Sequence, residues 1–160
     1  MIISGFAGIG KTTAQKMCDN VLDLESSNYK WIYPEAIGEM DKEARKGITD
    51  RVQNPEWPIN YVNKIKEEIQ NYEYVLTCMD IEVRNLMVVE NLPFTLAFPS
   101  VDCKKEYIQR LHDRGNNSKF IQLITDNYDK WINELIEKPQ PKIILEQGQF
   151  LPDVILKFKH

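Results

Sequence analysis

Residues 5–12, here called the glycine loop, hold the most informative chemical pattern in the chain. They read Gly-Phe-Ala-Gly-Ile-Gly-Lys-Thr and match the spacing G-x-x-x-x-G-K-[ST]. Glycines let backbone N–H groups converge on phosphate oxygens, lysine neutralises charge, and threonine offers a hydroxyl to Mg²⁺. The pattern therefore predicts a nucleoside triphosphate site, the alternative being a glycine-rich turn with a chance lysine. The residues predicted to bind the phosphates are Gly5, Gly8, Ile9, Gly10, Lys11, Thr12 and Thr13.

The sequence around the glycine loop predicts the strand and the helix that such a loop requires. Met1 to Ser4 form a short apolar run, and residues 11–19 favour a helix. Residues 21–25 read as a strand that follows almost directly, so this strand must return parallel to the first, with the helix as the crossover. The chain therefore begins as an α/β fold.

Strands and helices alternate along the rest of the sequence. Apolar runs predict strands over residues 72–79, 95–98 and 142–146, and helical periodicity predicts helices over residues 34–46, 60–71, 81–90, 103–114, 118–138 and 151–158. Five strands that alternate with helices predict a three-layer α/β/α fold around a parallel sheet, in a single domain over residues 1–160.

An acidic pair follows the second predicted strand. Side chains alternate along a strand, so Asp23 and Glu25 are expected on one face, near the carboxyl end where parallel sheets bind ligands. Asp23 is a candidate to position Mg²⁺ or to act as base toward the hydroxyl of a phosphoryl acceptor. The alternative is that one or both carboxylates cap the following turn.

A second aspartate follows the strand predicted over residues 72–79. Asp80 at this place is a candidate magnesium ligand. Arg84 lies four residues later, at the start of a helix, where its fork of donors suits an acceptor phosphate. The alternative is that Asp80 only caps the helix and Arg84 is an exposed helical residue.

The helix predicted over residues 103–114 carries a basic cluster. Arg110 and Arg114 are four residues apart and share a helical face. Arginines on a mobile segment neutralise charge on a transferring phosphoryl group and exclude water. Residues 103–118 are therefore predicted to form a helical lid, the alternative being an ordinary solvated face.

Residues 26–60 interrupt the alternation of strands and helices and are rich in aromatic and amide side chains. We expect this insertion to bind the acceptor, with at most two of five aromatic residues in contact with ligand and the others in the core. Arg45 and Arg51 of the insertion are further candidates for an acceptor phosphate. The five aromatic residues are Tyr29, Trp31, Tyr33, Trp57 and Tyr61.

Composition and charge exclude several classes of protein. The 160 residues carry a formal net charge of −4, so no overall positive field favours duplex nucleic acid. Cys18, Cys78 and Cys103 lack C-x-x-C spacing, which argues against a disulfide framework or a zinc site and favours the cytoplasm. No run of 18 apolar residues occurs. We expect no membrane partner and either a monomer or a homodimer.

Taken together, these motifs resemble the small P-loop kinases of the adenylate kinase and shikimate kinase type, including small phage and bacterial nucleotide kinases. The glycine loop matches the phosphate loop of the family, and Asp80-x-x-x-Arg84 has the spacing of the adenylate kinase segment Asp-Gly-Phe-Pro-Arg, whose arginine contacts the acceptor monophosphate. The resemblance implies a P-loop NTPase fold with strand order 2-3-1-4-5, ATP as donor, Mg²⁺ as cofactor, and adenine near residues 147–150.

The acceptor is less closely defined by the resemblance. Ile81-Glu82-Val83 stands in place of Gly-Phe-Pro, and the pair Asp23-x-Glu25 is similar to kinases that phosphorylate a hydroxyl. The leading hypothesis is an ATP-dependent kinase for a nucleoside or deoxynucleoside monophosphate. Its alternatives are a nucleoside or small-molecule hydroxyl kinase with Asp23 as base, and a nucleotide-binding regulatory module with little turnover. The expected catalytic residues are Lys11, Arg84, Arg110, Arg114 and Asp23, and the expected metal ligands are Thr12 and Asp80.

Overall fold

A parallel sheet of five strands forms the centre of the computed structural model, which describes residues 1–34 and 50–156. The strands are β1 (Ile2–Gly5), β2 (Val21–Asp23), β5 (Tyr74–Thr77), β6 (Phe94–Pro99) and β7 (Lys142–Leu145). Their order is β2-β5-β1-β6-β7, and each neighbouring pair is parallel. When only the strands of this sheet are counted, the order is 2-3-1-4-5, in agreement with the expectation.

Helices connect the strands of this sheet. They are α1 (Lys11–Met17), α2 (Ser27–Lys30), α3 (Ile59–Glu68), α4 (Ile81–Val89), α5 (Lys104–Asp113), α6 (Ser118–Ile136) and α7 (Leu151–Ile155), and a 3-10 turn over Val101–Cys103 precedes α5. Strands that alternate with helices are consistent with the predicted three-layer α/β/α fold. No helix within residues 1–34 and 50–156 is both long enough and apolar enough to cross a bilayer.

The longest helix, α6, shows how the sequence pattern determines packing. It begins where the side chain of Asn117 accepts a hydrogen bond from the N–H of Phe120 at 2.8 Å, as an N-cap does. Its apolar residues recur every three or four positions and are buried on one side. These buried residues are Ile121, Ile124, Tyr128, Ile132 and Leu135.

The central strands are buried on both faces, as parallel sheets require. Ile3, Leu76 and Phe98 are fully buried in β1, β5 and β6. Ser4 is also buried, and its hydroxyl donates to the backbone oxygen of Cys78 at 2.9 Å. The polar side chain thus ties the end of β1 to the end of β5, next to the glycine loop.

The described part of the insertion is more regular than the sequence indicated. It contains α2 and an antiparallel ribbon formed by β3 (Trp31–Ile32) and β4 (Val52–Gln53). Strands of two residues are too short to show alternation, which explains why the pattern did not predict them. Residues 35–49, which hold Arg45 and nearly all of the helix predicted over residues 34–46, lie outside the described residues.

Strand β2 is shorter than predicted, and the expectation that Asp23 and Glu25 share a strand face is wrong. The strand ends at Asp23. Glu25 lies in the turn beyond it, where its carboxylate accepts the N–H of Ser27 at 3.3 Å. The turn-capping alternative therefore describes Glu25, because a carboxylate close to the start of α2 satisfies a free backbone donor.

A buried tyrosine hydroxyl joins the carboxyl ends of β2 and β5. Tyr61 of α3 is fully buried, and its hydroxyl donates to the backbone oxygen of Leu24 at 2.6 Å. The same oxygen atom accepts the N–H of Cys78 at 3.3 Å. Leu24 and Cys78 each follow the last residue of their strand. Tyr61 therefore fixes the two points where the chain leaves the sheet toward the candidate acidic residues.

Replacing Tyr61 with phenylalanine tests this connection. Tyr61→Phe is expected to lower the free energy of unfolding by about 1–3 kcal/mol, because two buried backbone groups lose their partner. Urea denaturation measures the change. Tyr72→Phe is the matched control, since Tyr72 is only partly buried and no hydrogen bond of its hydroxyl occurs in the described chain, and it should change stability by less than about 0.5 kcal/mol. Equal losses in both variants would contradict the assignment.

Candidate functional site

The glycine loop connects β1 to α1 and is held in place through its backbone. The N–H of Phe6 donates to the oxygen of Ala97 at 2.9 Å, and the oxygen of Ile9 accepts the N–H of Leu151 at 2.8 Å. Gly8 and Gly10 have φ values of +77° and +96°, which glycine adopts without the strain that other residues suffer. The predicted strand, loop and helix are therefore all present, with glycine at the two left-handed positions.

Side chains from two later segments contact these glycines. A Cβ atom added at Gly8 would lie 3.1 Å from the Tyr107 hydroxyl and 3.3 Å from Nη1 of Arg114. A Cβ atom added at Gly10 would lie 3.4 Å from Cβ of Phe150. The absence of side chains at both positions thus lets α5 and the β7–α7 connection approach the loop backbone directly.

The ammonium group of Lys11 folds back over the glycine loop. Its Nζ donates to the backbone oxygens of Gly5 at 3.0 Å and Phe6 at 3.1 Å. Burial is the main cause that lowers the pKa of Lys11; nearby carboxylates, Asp23 foremost, oppose this effect, and Arg114 adds to it. Among the described residues no carboxylate forms a salt bridge with Lys11, so its charge stays available at the loop.

Thr12 and Asp23 bring two oxygen ligands together beside the glycine loop. The Thr12 hydroxyl donates to Oδ2 of Asp23 at 2.7 Å, and the N–H of Asp23 donates to Oε1 of Gln15 at 2.7 Å. Hydroxyl and carboxylate oxygens suit Mg²⁺, which usually takes one or two protein ligands and completes its shell with phosphate oxygens and water. Within the described ranges no three His, Cys, Asp or Glu side chains cluster into a metal site, so a cation here would need that added shell.

Asp80 has different partners from Asp23. One carboxylate oxygen accepts the N–H of Glu82 at 2.9 Å and caps α4, and the other pairs with Nζ of Lys30 at 2.6 Å. Lys30 also lies 5.4 Å and 5.3 Å from the ring centres of Trp31 and Trp57. Asp80 therefore caps the helix, as one part of the alternative has it, and its charge is also balanced by a lysine of the insertion.

Arg84 lies on the first turn of α4, close to the end of β5. Its Nε donates to the backbone oxygen of Met79 at 3.1 Å. Burial is the main cause that lowers the pKa of the guanidinium, and Asp80 opposes it. Arg84 is thus partly buried and anchored by one nitrogen, not an exposed helical residue.

The two arginines of the predicted lid lie in different environments. Nη2 of Arg110 pairs with Glu106 at 2.5 Å and donates to the oxygen of Gln149 at 3.3 Å. Its guanidinium carbon lies 3.8 Å from the ring centre of Phe150. Arg114, by contrast, reaches Gly8. One arginine therefore stacks on the β7–α7 connection and the other adds positive charge at the glycine loop.

The five aromatic residues of the insertion divide into core and partly exposed groups. Trp57 and Tyr61 are buried, with ring centres 5.4 Å apart. The ring of Tyr29 packs against Tyr61 in a tilted arrangement, with ring centres 5.4 Å apart. Trp31 is only partly buried, and the guanidinium of Arg51 lies 4.0 Å from its ring centre. The core interpretation thus applies to Trp57 and Tyr61, and the partly buried ring of Trp31 contacts both Arg51 and Lys30.

Three residues that organise this region were not among the predicted site residues. Lys30, Glu106 and Phe150 touch the predicted residues Asp80 and Arg110. Lys30 and Phe150 contact partners 50 and 40 positions away in the chain, and only the topology brings these two pairs together. The pair Glu106–Arg110 has the i,i+4 spacing of a helical ion pair, which is a local signal that the sequence does contain.

No model of a known protein family matches the chain, and comparison with curated proteins gives no match. The residues and their geometry must therefore carry the functional conclusion.

Substitution at Gly8 tests the close approach of α5 to the glycine loop. Gly8→Ala places a Cβ at a left-handed position, 3.1 Å from the Tyr107 hydroxyl. Backbone strain costs about 1–2 kcal/mol, and overpacking adds about 1–3 kcal/mol. Gly115→Ala is the control, because Gly115 has a φ of +74° with nothing within 4 Å of its Cβ position. Urea denaturation should show a larger loss for Gly8→Ala, and equal losses would contradict the contact.

Proposed function

We propose that this protein is an ATP-dependent kinase that transfers the γ-phosphoryl group to a nucleoside or deoxynucleoside monophosphate. One observation carries the proposal: a complete G-x-x-x-x-G-K-T sequence joins the first strand of a parallel sheet to its following helix, with the Thr12 hydroxyl 2.7 Å from Asp23. A strand, this loop and a helix are the context that makes the motif specific for phosphates.

The donor phosphates are bound by the glycine loop and Lys11. The ammonium of Lys11 now bonds to two neutral backbone oxygens. An anionic phosphate oxygen is a stronger partner for the ammonium than a neutral carbonyl, because the attraction between opposite charges adds to the hydrogen bond. Lys11 therefore needs to move only its terminal atoms to exchange a loop carbonyl for a phosphate.

Thr12 and Asp23 are the residues that hold Mg²⁺ in this proposal. Their oxygens are already 2.7 Å apart at the start of α1 and the end of β2. The ion supplies neutralisation of charge on the β- and γ-phosphates. Asp80 is engaged by Lys30 and by the cap of α4, so Asp23 is the acidic residue that we assign to the metal and Asp80 positions the basic residues around it.

The acceptor is bound between α4 and the insertion. Phosphate acceptors are already ionised, so they require positive charge to bring two anions together and do not require a base. Arg84 and Arg51 supply that charge, and the partly exposed ring of Trp31 offers a stacking surface for a base. This combination of charge and aromatic surface favours a nucleoside monophosphate over a sugar.

Arg110 and Arg114 contact different parts of the donor nucleotide. Arg114 adds positive charge at Gly8, where it stabilises the transferring phosphoryl group as α5 closes over the loop. Arg110 presents a flat cation beside Phe150, on the connection where the family resemblance implies the adenine ring. Stacking between a guanidinium and an aromatic surface is a common way to hold a base.

A hydroxyl kinase is the second candidate. The observation in its favour is that the Asp23 carboxylate lies at the glycine loop without a salt bridge among the described residues, so it is placed to accept a proton from an acceptor hydroxyl. In that case Asp23 acts as the base and Arg84 has no phosphate to bind.

Removal of the Lys11 ammonium tests the donor site. Lys11→Ala is expected to lower kcat/KM by about 10³-fold or more, because the transferring phosphates lose a buried positive charge. Coupled detection of ADP release measures the rate, and urea denaturation checks that the fold is retained. Lys16→Ala is the matched control on the exposed side of the same helix and should leave the rate unchanged. Near-normal turnover in Lys11→Ala would reject the assigned role.

Arg84→Ala separates the two candidate acceptors. With nucleoside monophosphates as acceptors, the variant should raise the acceptor KM about 10- to 100-fold, because a charged hydrogen bond is lost, and leave the KM for ATP unchanged. A hydroxyl kinase would instead turn over nucleosides or sugars, tolerate Arg84→Ala and lose activity in Asp23→Asn. Failure of ADP release with every monophosphate, nucleoside and sugar tested would overturn both and favour the regulatory module.

A further inference from the structure

Tyr107 of α5 has a buried hydroxyl that forms no hydrogen bond among the described residues. The residue is 1% exposed, and its ring packs between Phe6 and Tyr128 with centroid distances of 5.5 Å and 5.6 Å. A buried hydroxyl without a partner destabilises a protein, which is why nearly all such groups are paired. The unpaired hydroxyl of Tyr107 is therefore unfavourable in this core unless a ligand supplies its hydrogen-bond partner.

The position of the hydroxyl suggests which partner that is. It lies 3.1 Å from the point where a Cβ of Gly8 would be, and Nη1 of Arg114 lies 3.3 Å from the same point. Because Gly8 has no side chain, both groups lie close to the glycine loop, in the space that a side chain there would occupy. The proposed phosphate site therefore has two additional donors on its α5 side.

The chemistry of the two donors is matched to an anion. Burial is the main cause that raises the pKa of Tyr107, so the phenol stays protonated at neutral pH and can donate. Arginine has donors only. Two donors at the edge of a loop that itself offers backbone N–H groups form a place for anionic oxygen, since a neutral carbonyl gains less from such a set.

The neighbouring Tyr128 shows that the cluster itself permits a paired hydroxyl. Tyr128 is also fully buried and belongs to the same group of rings. Its hydroxyl donates to the backbone oxygen of Ser100 at 2.7 Å. The two tyrosines therefore share packing but differ in one respect, because only the Tyr107 hydroxyl meets the glycine loop.

We propose that Tyr107 is a nucleotide-binding residue whose hydroxyl donates a hydrogen bond to a phosphate oxygen of the nucleotide held by the glycine loop. The inference rests on the proposed function, because it takes residues 5–12 as the phosphate site. It extends that site to the buried face of α5, beside Arg114. Helix α5 then contacts the phosphates through the buried Tyr107 as well as through Arg114 at its end.

Tyr107→Phe removes only the hydroxyl and gives two opposite expectations. The free energy of unfolding without ligand should stay the same or rise, because no hydrogen bond is lost. The affinity for MgATP should fall about 10-fold or more, because a hydrogen bond to a charged group is lost. Tyr128→Phe is the matched control with the reverse pattern: it should lower stability and keep the affinity within about twofold.

Isothermal titration calorimetry with MgATP and with magnesium tripolyphosphate, combined with urea denaturation, tests the proposal. A similar loss of affinity for both probes in Tyr107→Phe supports a phosphate contact. A loss for MgATP alone would place the hydroxyl on the nucleoside and overturn the inference. Unchanged affinity for both probes would also overturn it while leaving the proposed function intact. Absence of binding by the unaltered protein would overturn the proposed function and the inference together.

Discussion

The approach of two later chain segments to the bare backbone of residues 8–10 is the constraint on which the candidate site depends. Tyr107 and Arg114 contact Gly8, Phe150 contacts Gly10, and the N–H of Leu151 bonds to Ile9. These contacts require left-handed glycines, because a Cβ at either position would meet atoms at 3.1 to 3.4 Å. The glycines therefore admit these later residues to the loop, and in the proposed function the same lack of side chains leaves the loop N–H groups open to an anion.

The sequence was sufficient wherever the signal is local or repeats along the chain. The apolar run before Gly5 and the buried stripe of α6 both determine elements whose type was predicted correctly. The order of the strands in the sheet was predicted from the family resemblance together with the five predicted strands. Element ends were harder, since β2 ends at Asp23 where Tyr61 binds the next carbonyl oxygen. That hydrogen bond is donated by a residue 37 positions later, so no pattern within the strand predicts where the strand ends.

The details of the candidate site could not be predicted for the same reason. Asp80 has the same residue type as Asp23 and also lies near the carboxyl end of a strand, yet Lys30 of the insertion pairs with one of its oxygens. Arg110 and Arg114 share a helical face in the sequence but have separate partners, because Glu106 and Phe150 hold the first of them. Long-range contacts of this kind depend on how the loops between parallel strands fold over the sheet edge.

The carboxylate of Glu106 joins α5 to the connection between β7 and α7. It pairs with Arg110 on its own helix and also accepts the N–H of Gly148 with both oxygens, at 3.0 Å and 3.1 Å. A rotation of α5 alone would stretch those bonds, so Glu106 couples the helix to the turn over residues 146–150. In the proposed function, the parts of the chain that contact the base and the phosphates of the nucleotide are therefore coupled through Glu106.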